Sequence, residues 1–71
     1  MECQPIEVVV NGQPRLVERG ATVEGLLAQL GIDPARVAVE LDRRIVRREA
    51  WSARTVEAGA RIEIVQFVGG G

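Results

Sequence analysis

Seventy-one residues bound this chain to one domain, near the lower size limit for folding without metals or disulfides. It has no histidine, a single cysteine (Cys3) and a net charge of −1. That excludes an internal disulfide, a thiolate metal cluster and the commonest general base, and leaves no field that gathers nucleic acid or an anionic membrane.

Ile6 to Val10 alternates as a strand, with Ile6, Val8 and Val10 on one face. Asn11-Gly12 follows, a two-residue hairpin signal, because both positions tolerate positive φ. The chain then returns as a second strand ending at Arg19, so strands are expected over 6–11 and 14–19. Pro14 lacks an N–H and places the second strand at an edge. Thr22 is a helix N-cap with Glu24 in the first turn, and Val23, Leu26, Leu27 and Leu30 share one helical face. Gly31 and Pro34 stop that helix, expected over 22–30. Gly25 in its interior is expected to let the helix lie close to a sheet. Val37, Val39 and Leu41 alternate in a third strand, 37–41. A turn at Asp42-Arg43 leads to a fourth, 44–48. Residues 49–56 are irregular, anchored by Trp51. After a turn at Ala58-Gly59, Arg61 to Phe67 forms the last strand, with Ile62 and Ile64 on one face. The expected core is Ile6, Val8, Val10, Val23, Leu26, Leu27, Leu30, Val39, Ile62 and Ile64.

One helix for five strands predicts an α+β fold, a mixed five-stranded sheet with one face covered by the helix. The hairpin–helix crossover makes the first and last strands parallel neighbours at the centre, the ubiquitin-like β-grasp arrangement. The expected organisation is a β-grasp domain over 1–67 and a glycine tail over 68–71.

No Ser/His/Asp set, Cys/His pair or metal cluster can be assembled from this composition, so the chain is not expected to be an enzyme or to bind a cofactor. Cys3 has no activating neighbour in the sequence and is expected to be inert. No apolar run reaches the ~18 residues of a membrane span and no signal peptide opens the chain, so the expected compartment is the cytoplasm. All nine basic residues are arginine, so the chain cannot carry lysine-linked copies of itself.

The chemistry is expected at the other end, where a strand runs into Gly69-Gly70-Gly71. Without Cβ atoms these residues can thread a channel too narrow for other side chains. Five extended residues, Phe67 to Gly71, span about 17 Å at ~3.3–3.6 Å each, enough to carry a terminal carboxylate into another protein's active site. A carboxylate is a poor electrophile; transfer of AMP from ATP makes it an acyl-adenylate, and a sulfide equivalent can then displace AMP to leave a thiocarboxylate. Val9, Val65 and Phe67, on the face opposite Ile62 and Ile64, together with Val68, are the candidate partner-binding residues. Whether residues 49–60 fold over that face is left open by the sequence. Arg43, Arg44, Arg47 and Arg48 surround one hairpin, as a solvated basic face or a docking patch for an acidic partner.

End to end, the chain resembles the ThiS family, the sulfur carriers of thiamine biosynthesis. The resemblance lies in Val10-Asn11-Gly12, Ala21-Thr22-Val23, Leu26-Leu27, Leu30-Gly31, Val37 to Leu41, Ile45-Val46, Glu49, Trp51, Arg61 to Val65, and Phe67 to Gly71. It implies a ThiF-like adenylyltransferase that activates Gly71 with ATP and magnesium. It also implies a sulfur donor protein and a ThiG-like thiazole synthase that takes sulfur from the thiocarboxylate. Asp42-Arg43 departs from the Asn-Gly turn common in such chains. Two other readings stand beside this one: a carrier for another pathway, such as the small subunit of molybdopterin synthase, and a ubiquitin-like modifier or binding module.

Overall fold

The computed structural model describes residues 4–67. Strand β1, Pro5–Val10, alternates as its sequence requires, burying Ile6, Val8 and Val10. Asn11 and Gly12 both take positive φ, 50° and 82°, which matches the twist of a two-residue hairpin. Strand β2, Gln13–Glu18, returns antiparallel, with Val10 opposite Gln13 and Ile6 opposite Val17. It lies at the sheet edge, where Pro14 leaves no interior ladder bond unmade.

Helix α1, Val23–Leu30, begins on the Thr22 hydroxyl, which accepts a hydrogen bond from the Gly25 N–H at 3.1 Å. It ends at Gly31 in the left-handed region, with φ 71°. Val23, Leu26 and Leu27 are buried against the sheet. Gly25 does not let the helix approach the sheet: it lies on the exposed side, and an added Cβ would meet only the Thr22 hydroxyl at 3.5 Å.

A single 3₁₀ turn, Pro34–Arg36, capped by Asp33, leads into β3, Val37–Leu41. Strand β4 is shorter than the alternation suggested. It covers Arg44–Val46 and gives way to a second 3₁₀ turn, Arg48–Ala50. The reason is Trp51, which is 5% exposed and donates its indole N–H to the Val46 carbonyl at 2.8 Å. Satisfying that buried donor takes the chain out of the strand. The Arg48 guanidinium stacks 5.6 Å from the indole centre.

Strand β5, Arg61–Gln66, completes the sheet order β2-β1-β5-β3-β4. It pairs parallel with β1 and antiparallel with β3. The first and last strands are thus neighbours, with one helix on one face, and the fold is the β-grasp. Of the expected core, Leu30 and Ile64 are only partly buried, packed against its rim. Val17, Val37, Leu41, Val46, Trp51, Val56 and Ala60 join it. No helix among the described residues is long and apolar enough to cross a membrane.

Candidate functional site

The glycine tail and Val68, where the sequence places the chemistry, lie outside the described residues, as does Cys3. The structure describes the tail's root, the end of β5, and the sheet face around it.

That face is uncovered among the described residues. Of residues 49–60, the stretch 51–56 lies elsewhere, and the Gly59 N–H donates to the Glu7 carbonyl of β1 at 2.7 Å. Residues 51–56 bond to the start of α1: the Val23 N–H donates to the Arg54 carbonyl at 2.9 Å, the Glu24 N–H to Trp51 at 3.1 Å and the Val56 N–H to Ala21 at 2.9 Å. Val65 is 58% exposed and Phe67 56%, close together at the exit from the sheet. Ala38 is directly opposite Val65 on β3. Val9 is not part of the same cluster. Its partner on β5 is Arg61, four residues before Val65, or roughly 13 Å at 3.3 Å per residue. Between them on β5 lies Glu63, directly opposite Glu40. Two carboxylates facing each other across strands repel, and neither has a salt bridge among the described residues. Ile45, opposite Glu40 on β4, is also exposed.

Two of the four hairpin arginines have partners within the fold. Arg48 is held over Trp51 and donates to the Pro34 carbonyl at 3.3 Å, while Arg47 pairs with Glu49 at 3.8 Å. Arg43 and Arg44 are exposed. Arg43 carries a φ of 73°, a conformation that normally selects glycine.

One residue that sequence reasoning assigned only to a turn also has a side-chain role. Backbone bonds between β1 and β5 run from the Val9 N–H to the Ala60 carbonyl, 2.9 Å, and from the Asn11 N–H to the Ile62 carbonyl, 2.8 Å. The main chain then turns away at Gly12, and the Asn11 side chain supplies the next rung. Its Oδ1 accepts from the Ile64 N–H at 2.8 Å, and its Nδ2 donates to the Ile64 carbonyl at 3.2 Å. An N–H can only donate and a carbonyl only accept, so the two partners fix which end of the amide is which. The Asn-Gly pattern signals the turn and hides this second use.

A groove of about 470 Å³ runs beside this rung on the helix side, lined by Asn11, Arg15, Gln29, Leu30 and Ile64 among others. It is open and of mixed polarity, with no metal-ligating cluster among the described residues.

Comparison with known proteins gives a consistent picture. A model of the ThiS family matches residues 8–71. The chain is 41% identical over 66 residues to the thiazole synthase of Magnetococcus marinus, and equally to that of Paramagnetospirillum magneticum. In each case the match covers 93% of this chain and 20% of the relative, so the chain spans about a fifth of the length of the curated relatives it matches. The crystal structure of the thiamine biosynthesis protein (ThiS) from Geobacter metallireducens superposes with a TM-score of 0.82 at 36% identity, covering 93% of this chain and all of that one. The solution structure of a thiamine biosynthesis protein from the same organism gives 0.76 at 38% identity, covering 93% and 88%.

Proposed function

The chain belongs to the ThiS family, and we propose that it is a sulfur carrier for thiazole formation in thiamine biosynthesis, acted on by partner enzymes and not itself an enzyme. The observation that carries this reading is the family match, which spans the β-grasp body and runs on through Gly69-Gly70-Gly71. The proposed division is a β-grasp body ending at Phe67 and a tail over 68–71 that delivers Gly71.

The chemistry has two steps. An oxygen of the Gly71 carboxylate attacks the α-phosphorus of ATP in a ThiF-like adenylyltransferase, and pyrophosphate leaves with magnesium balancing its charge. A sulfide equivalent from a sulfur donor protein then attacks the acyl carbon, AMP leaves, and Gly71 ends as a thiocarboxylate. The tail needs no side chains for this, since binding and catalysis belong to the partners.

Docking uses the uncovered sheet face. Val65 and Phe67 sit at the root of the tail, so a partner that seats them lies within reach of Gly71. The facing carboxylates of Glu40 and Glu63 suit a partner that places a basic group beside that apolar seat. Relatives named thiazole synthase, in which a segment like this chain occupies a fifth of a longer protein, support a ThiG-like enzyme as the acceptor of the sulfur and favour thiazole formation over the molybdopterin pathway.

The test is intact mass. The 71-residue chain, incubated with a ThiF-like adenylyltransferase, ATP, magnesium and a sulfide source, gains the mass of one oxygen replaced by sulfur, and fragmentation maps it to Gly71. Deleting Gly71 sets the carboxylate back by about 3.5 Å and abolishes the gain in a chain that remains folded. An unmodified intact chain, or sulfur mapped to Cys3, refutes the carrier mechanism. A loaded chain that a thiazole synthase cannot consume refutes the pathway.

A further inference from the structure

We propose that Asn11 is a positioning residue: its side-chain amide clamps Ile64 and thereby aims the last residues of β5, and the tail beyond them, for activation of the terminal carboxylate. The inference rests on the sulfur-carrier reading above.

The clamp answers a gap in the sheet. β5 has β1 on one side only as far as Ile62, because β1 ends at Val10 and the chain turns. Beyond that point β3 alone holds it, down to Gln66 opposite Val37 and the Phe67 N–H donating to the Arg36 carbonyl at 2.7 Å. A strand held along one edge can twist about that edge. The Asn11 amide adds the missing bonds on the other edge at Ile64, three residues before Phe67. Both groups of the amide are used, which fits asparagine and excludes a carboxylate: a second oxygen in place of Nδ2 would face the Ile64 carbonyl.

Asn11 holds this position while in the left-handed conformation, φ 50°. Glycine adopts the same backbone more easily, so the turn by itself does not require an amide. That separates the two roles of the residue and makes the clamp testable without dismantling the hairpin. Asn11→Gly keeps the turn and deletes the clamp. Asn11→Asp keeps the turn and the Oδ1 acceptor but turns the second bond into a repulsion.

The experiment uses the full chain in two measurements. Amide hydrogen exchange should show the Ile64 N–H of Asn11→Gly exchanging at least about tenfold faster than in the unsubstituted chain, while Val65, bonded to β3, is unchanged. Steady-state pyrophosphate release with a ThiF-like adenylyltransferase, ATP, magnesium and a sulfide source should then show kcat lowered by about tenfold with KM within twofold, since the docking face is untouched and only the aim of the tail is lost. Asn11→Asp should fall at least as far in kcat. A merely structural role would alter the folded fraction and leave kcat per folded molecule unchanged. The inference is overturned if Ile64 exchange in Asn11→Gly is unchanged, or if kcat is unchanged while Ile64 is deprotected. Failure of the unsubstituted chain to be activated at all overturns the carrier reading and this inference with it.

Discussion

Truncating Phe67 to alanine tests the docking face by magnitude. The ring is 56% exposed in the free chain, so slightly under half of its burial value is already realised in the fold. Full burial of a phenylalanine side chain is worth about 1.5–3 kcal/mol. The fold should therefore lose up to about 1 kcal/mol, and a partner that covers the rest of the ring should lose about 1–1.5 kcal/mol. The second figure is roughly a five- to tenfold rise in KM for activation by the adenylyltransferase. The first is a fall in Tm of about 4–8 °C, which leaves the chain folded at 25 °C. Steady-state kinetics over a range of carrier concentrations reads both kcat and KM. Ile45→Ser is the comparison, because Ile45 is 74% exposed on β4, two strands from β5 and about 10 Å across the sheet. It should change KM by less than twofold. If Phe67→Ala leaves KM unchanged, or if Ile45→Ser raises it equally, the partner does not seat at the root of the tail.

Two further predictions concern the body. Gly25→Ala should stabilise the chain by up to about 1 kcal/mol, seen as a Tm higher by about 4–8 °C, because the position is helical, exposed and free of close neighbours; a lower Tm would mean the helix approaches something there. Arg43→Gly should stabilise by about 0.5–1 kcal/mol through relief of the left-handed backbone, with the rate of sulfur loading unchanged. A slower rate in an equally folded chain would make Arg43 a docking residue retained against that strain.

The frame of this fold was legible because it rests on short-range rules. Asn11-Gly12 fixed one hairpin, Thr22 and Gly31 bracketed the helix, and period-two alternation located four of the five strands to within one residue. What the sequence hid is long-range. Arg44 to Arg48 alternates well enough for a strand, and only the buried indole of Trp51, reaching back to Val46, ends it early. Val17, Val46 and Val56 are buried by what lies over them in three dimensions, which their local patterns do not encode. The open face shows the same limit. Alternation placed Val9, Val65 and Phe67 on one side of the sheet, but register along β5 separates Val9 from the other two. The glycine tail stands out in the sequence by composition, whereas the residue that clamps its root looked like turn punctuation.

The two hairpin turns show why such a residue carries the type it does. Both put their first residue in the left-handed region, Asn11 at 50° and Asp42 at 51°, and both hold β5. At the start of β5, the Asp42 main-chain N–H donates to the Arg61 carbonyl at 2.7 Å and its Oδ1 accepts from the Arg61 N–H at 2.9 Å. The backbone there supplies the donor, so the side chain has only to accept and a carboxylate suffices. At Ile64 the main-chain N–H of Asn11 is already committed to Ile62, so the side chain must donate and accept together, which requires an amide. The departure from Asn-Gly at Asp42-Arg43 therefore keeps the clamp at its first position and leaves the strain at its second. Strand β5, which runs out into the tail, is gripped by a turn residue at Arg61 and again at Ile64. An asparagine at 42 should keep the first grip, since its Oδ1 can still accept, whereas an aspartate at 11 cannot keep the second.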